Sequence, residues 1–144
     1  MKTFTLDEAQ GLLPLVEALL NRAIEAKDAL IGLEEEQQVL LRRIVVSGGL
    51  LIDRAAVKKR KITMAALLQR AKDSLQEIDA IGVQVKDLDT GLLDFPCILE
   101  GETVLLCWKR GEPRIAFWHR VEDGFPGRQP IDDRFRRAIP EKFN

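Results

Sequence analysis

Between Val16 and Ile44 the side chains Val16, Leu19, Ala23, Ala26, Leu30, Leu33, Gln37, Leu40 and Ile44 recur at alternating spacings of three and four. That period keeps a stripe on one side of an α-helix and cannot be sustained by a strand, so it predicts one long helix with a coiled-coil-like seam. Gln37 is the one polar interruption; Leu20, Leu41 and Val45 widen the stripe. The charges Glu17, Arg22, Glu25, Lys27, Asp28, Glu34, Glu35, Arg42 and Arg43 lie mostly off it. Upstream, Thr5 and Glu8 have capping-box spacing, in which the hydroxyl accepts from an orphan amide and the carboxylate reaches back. Pro14 falls too deep for a first-turn position, so the helix is expected to kink there or start again.

Ser47-Gly48-Gly49 ends this helix and permits a reversal. A second helical stretch runs from about Asp53 to Ala80, with Met64, Leu68, Ala71, Leu75 and Ile78 repeating the spacing and Leu67 beside them. The predicted arrangement is an antiparallel helical hairpin over residues 6–80. Two helices cannot enclose a core by themselves, so the hairpin needs a sheet, another subunit, or both.

After Gly82 the apolar period falls to two. Gly82–Leu88, Leu92–Leu99, Glu102–Trp108 and Arg114–His119 read as four short strands separated by turn signals, an antiparallel β-meander with its Gly/Pro loop over residues 82–131. Residues 132–144 follow as a C-terminal tail of the same single domain. The fold class expected is α+β. A two-residue turn at Glu100-Gly101 sets Leu99 against Glu102, Cys97 against Val104 and Asp94 against Cys107. A four-residue loop at Arg110–Pro113 sets Cys107 against Ala116 and Leu105 against Trp118. One face then carries Phe95, Cys97, Leu99, Val104, Leu106, Trp108, Ile115, Phe117 and His119; the other carries Asp94, Ile98, Leu105, Cys107, Ala116 and Trp118. Both faces are apolar enough to need covers. The Gly124–Pro130 loop, the segment Arg134–Ile139 and a second subunit are the candidates, and a homodimer is expected.

With 22 basic and 23 acidic residues, the chain has no global field to favour nucleic acid or an anionic membrane. Lys58–Lys61 is the one compact basic run; a solvated helix face explains it better than a nucleic-acid patch. Residues 1–26 do not read as a signal peptide, because Pro14 and Glu17 split the apolar groups, and no uncharged run reaches membrane-spanning length. Two cysteines, Cys97 and Cys107, lack Cys-x-x-Cys spacing, which suggests reduced thiols and a cytoplasmic setting.

Chemistry concentrates in Gly111–Ile131, which holds the single histidine, His119, beside Trp118. The candidate ligand-binding residues are Asp94, Glu112, Trp118, His119 and Arg128, with no catalytic role assigned. His119 can serve as an acid–base group oriented by a carboxylate, with Arg128 holding an anion; the alternative is a structural histidine at a strand end. Gly124, Gly127 and Arg128 form a candidate anion loop, glycines freeing amides and arginine supplying a fork. The alternative there is a tight turn whose arginine pairs with Glu112, Glu122 or Asp123. One histidine excludes a zinc site with two or more histidines in one chain. His119 with carboxylates, or a site shared across a dimer, stays open, and no metal site or cofactor is assigned. Asp87, Asp89 and Asp94 lack calcium-hand spacing. Cys107 as a nucleophile would need His119, and the register above puts them on opposite faces.

Asp94-Phe-Pro96, Leu106-Cys107-Trp108, Gly111-Glu112, Trp118-His119 and Gly124-x-x-Gly127-Arg128 together resemble an uncharacterised prokaryotic family, domain-of-unknown-function family 2203. The Thr5–Pro14 opening and the long hairpin are similar as well. The resemblance implies a small bacterial or archaeal protein and supplies no reaction. The function expected from the residues is a non-enzymatic cytoplasmic homo-oligomeric assembly module. The alternative is a small-molecule or anion-binding protein, or an enzyme, built on the last strand.

Overall fold

The structure, a computed structural model, describes residues 1–46, 48 and 53–136. Two long helices, α1 (Leu6–Val46) and α2 (Arg54–Ile81), precede a five-stranded antiparallel sheet, an α+β fold. The strands β1 (Gln84–Asp87), β2 (Leu92–Leu99), β3 (Glu102–Lys109), β4 (Phe117–Arg120) and β5 (Gln129–Pro130) lie side by side in chain order. A single turn, α3 (Asp133–Arg136), follows. Of the expected break at Ser47–Gly49, only Gly48 is described, in a left-handed turn conformation; of Arg134–Ile139, residues 137–139 lie outside the described set.

The capping box forms in both directions. The Thr5 amide donates to Glu8 Oε1 at 2.9 Å, and the Glu8 amide donates to Thr5 Oγ1 at 3.1 Å. The helix does not start again at Pro14, which lies inside the continuous α1. Losing one ladder bond there is offset by neighbours that bury fully on one side: Leu13, Val16, Leu19 and Leu20.

The chain divides into two compact units. The first joins Met1–Leu20 to everything from Leu75 onward and contains the sheet. Here the start of α1 meets β2: the Phe4 amide donates to the Pro96 carbonyl at 2.7 Å, and the Phe4 ring stands edge-on to Phe95 at 6.0 Å. Pro96 is tolerated because β1 pairs with β2 only as far as Asp94, leaving β2 without a β1 partner at the proline. The second unit, Asn21–Ser74, is the distal part of the helical hairpin, where Arg60 reaches Glu36 at 3.8 Å. Within it Ala23, Ile24, Ala26 and Ser74 are buried, but every described residue from Lys27 to Asp73 is half-buried or exposed.

Strand β2 occupies the expected residues, and its hairpin with β3 has the expected register, including Asp94 opposite Cys107. Glu100 and Gly101 both adopt positive φ, 51° and 84°, as a two-residue turn matched to strand twist requires. The expected register of β3 with β4 is wrong by one residue. Leu105 faces His119 and Cys107 faces Phe117. The connection is not four residues but the seven of Arg110–Ala116. Glu112 holds its start closed, accepting from the Lys109 amide at 2.7 Å, and the Ile115 amide leaves the ladder to donate to Gln10 at 2.9 Å. A one-residue shift exchanges the faces of a whole strand. Phe117 and His119 therefore join Asp94 and Cys107, while Trp118 joins Phe95 and Leu106. A fifth short strand, β5, was also not expected; it pairs Pro130 with Phe117 and Gln129 with Trp118.

Both faces of the sheet are covered within the chain. On the Phe95 face, Phe4 meets Phe95 and Phe135 of α3 meets Trp118 at 5.4 Å. On the Asp94 face, the Arg128 guanidinium lies 4.0 Å from the centre of the Phe117 ring.

Candidate functional site

Asp94, Cys107 and His119 come from β2, β3 and β4 and are all buried on one face of the sheet. Their strands are consecutive neighbours, about 4.8 Å apart. Asp94 and His119 flank the central strand and meet over it, with His119 Nε2 3.2 Å from Asp94 Oδ1. The same carboxylate lies close enough to the Cys107 thiol to favour its protonated form. Asp94 O, Cys107 Sγ and a His119 ring nitrogen all lie within 4.8 Å of one another. The separation of Cys107 from His119 expected from sequence is thus corrected, for the reason that puts Phe117 opposite Cys107.

The orientation of His119 settles where one proton resides. Its Nδ1 lies 2.8 Å from the Arg120 carbonyl, which can only accept, so Nδ1 donates. Nε2 is then the nitrogen that faces Asp94 Oδ1. The Cys107 thiol is pushed up to about 12 from its ordinary 9.0. Burial is the main cause and the Asp94 carboxylate the next, with Arg128 acting in the opposite direction. A thiol held neutral in this way is a poor nucleophile.

The second pair lies on the same face, close enough for Arg128 and Glu112 both to act electrostatically on Cys107. Arg128 donates to Glu112 Oε2 at 2.6 Å, and its guanidinium stacks between Phe117 and Phe125, 4.7 Å from the latter. Glu112 also accepts from Trp108 Nε1 through its backbone carbonyl at 2.9 Å. The turn reading of the glycine loop matches this geometry. The Gly127 amide donates to the Gly124 carbonyl and the Arg128 amide to the Phe125 carbonyl, each at 3.1 Å, so neither points at an anion. Gly127 is needed for close approach, since a Cβ there would fall 2.6 Å from Asp123 Cβ.

Of the residues singled out in the sequence, Asp94 and His119 come together, and Glu112 and Arg128 come together beside them. Trp118 points to the other face, against Phe135, and its indole N–H finds no acceptor among the described residues. Cys107 is the member that sequence reasoning left out. Asp94 opposite Cys107 was already legible; only the parity of the next loop hid His119. In the basic run Arg60 turns toward Glu36, while Lys58, Lys59 and Lys61 are exposed.

The model of an uncharacterised conserved protein family, DUF2203, matches residues 2–131, and the chain belongs to that family. No curated protein and no solved structure matches the chain.

Proposed function

We propose that this member of the family is a non-enzymatic, cytoplasmic assembly module that forms a homodimer through the distal hairpin. The observation that carries the reading is the part of α1 beyond Ala26, where the seam residue Leu40, Leu41 beside it and Val39 on the adjoining face remain 37%, 48% and 46% exposed. Val39 and Leu40 line an open groove with Gly32, Glu35, Glu36, Arg43 and Arg60. A second copy is the occupant that the charge pattern fits. An antiparallel α1 crossing at Val39 brings Glu35 of each copy beside Arg43 of the other, because the two lie equally far on either side of Val39. Such an isologous pairing buries the apolar centre and leaves charges at the rim to set register. The free cysteines fit a reducing compartment, and among the described residues no helix is long and apolar enough to cross a membrane.

The reading as a small-molecule or anion-binding protein has less support, since Asp94, Glu112, His119 and Arg128 are each engaged in a pair. Nucleic acid is not the proposed partner. Sedimentation equilibrium tests the dimer. The wild-type chain is expected to sediment as a dimer at micromolar concentration and Leu40→Glu as a folded monomer. A wild-type monomer throughout the micromolar range overturns the proposal.

A further inference from the structure

We infer that Asp94, Cys107 and His119 bind a zinc ion, because the sheet brings a carboxylate oxygen, a sulfur and an imidazole nitrogen within 4.8 Å of one another in its interior. The inference concerns the sheet and is independent of dimerisation through the hairpin. The donor types point first to the ion. Thiolate together with imidazole and carboxylate suits zinc, whereas magnesium and calcium take oxygen alone. Donors around tetrahedral zinc lie about 3.3–3.8 Å apart, as bonds of about 2.0–2.3 Å require. The 3.2 Å between Nε2 and Oδ1 is already there, and the spacing to the sulfur, within 4.8 Å, must close by no more than about 1.3 Å.

His119 carries the independent indication. A zinc-binding histidine characteristically donates its other ring N–H to a carbonyl or carboxylate, which fixes the ring and presents the remaining nitrogen to the metal. His119 Nδ1 donates to the Arg120 carbonyl and aims Nε2 at the cluster. Charge also balances. Two anionic donors, the Asp94 carboxylate and the Cys107 thiolate, and a neutral imidazole would match the charge of a dication. Among the described residues the chain supplies three donors, so the fourth position falls to a water. Three strands of one sheet hold the donors, so little ordering remains when the ion enters.

The experiment uses the full chain without a histidine tag, stripped with EDTA and then titrated with zinc or cobalt. One zinc per chain is expected by elemental analysis, with a rise in Tm. Cobalt should give a sulfur-to-metal charge-transfer band that persists in Cys97→Ser. Because the chain has two cysteines, a band in that variant can come only from Cys107. Cys107→Ser should bind zinc more than about 100-fold more weakly, a loss at least as large as removing an outer-shell partner causes. The Cys97→Ser spectrum reads Cys107 even if Cys107→Ser fails to fold. No metal retained, no thiolate band in Cys97→Ser, or equal zinc affinity in a folded Cys107→Ser overturns the inference.

Discussion

Cys97 and Cys107 show how one residue type acquires two roles from the face it occupies. Cys107 shares its face with Asp94 and His119. Cys97, on the other face, sits 1% exposed near the start of α1, and burial, reinforced by the negative charge of Glu8, pushes its thiol up to about 11 from 9.0. The folded chain therefore holds a proton that the unfolded chain gives up. The stability this contributes is complete below about pH 9 and is lost as pH rises through about 11. Urea unfolding of wild type and Cys97→Ala across that interval checks it: the variant should show the flatter dependence. Glu112 is the opposite kind of residue, half-buried yet fully occupied. Its carboxylate takes a backbone amide and a guanidinium, and its carbonyl takes an indole.

At the scale of elements, signals that act within one turn of chain were legible and those that act across the fold were not. Thr5 and Glu8 announce the start of α1, and Thr5→Ala should cost about 1 kcal/mol, or roughly 3 °C in Tm, by thermal unfolding. The Glu100-Gly101 turn announces the β2–β3 hairpin, and Leu92–Leu99 could be bounded to the residue. The β3–β4 connection could not be measured in the same way. Its length depends on Glu112 folding back on Lys109 and on Gln10 taking the Ile115 amide from 105 positions away. No local pattern encodes that second bond. The candidate site was accordingly half legible: Asp94, Glu112, His119 and Arg128 could be singled out from the sequence and do lie on one face, but the partner of His119 across the sheet depended on the loop. That the helix continues through Pro14 rather than starting again has a related reason, since burial of its neighbours in the tertiary structure outweighs one missing hydrogen bond.

Across the whole molecule, burial is unevenly distributed. The sheet is covered on both faces, whereas α1 and α2 between Lys27 and Asp73 have no fully buried residue. Amide exchange followed by mass spectrometry should therefore find the slowest amides in β2 and β3 and much faster ones in residues 30–46 and 54–70 at submicromolar concentration. Raising the concentration should slow the helical amides and leave the strands unchanged. The odd-length connection before β4 has a different kind of effect, on how this chain can vary. Arg110–Ala116 can gain or lose residues two at a time and still return His119 to Asp94 and Cys107. A change of a single residue would instead present Trp118 to them and bury the imidazole among Phe95 and Leu106. The spacer thus behaves as a parity check: its odd length decides which face of β4 meets the buried cluster, and Glu112 and Ile115 hold it at that length.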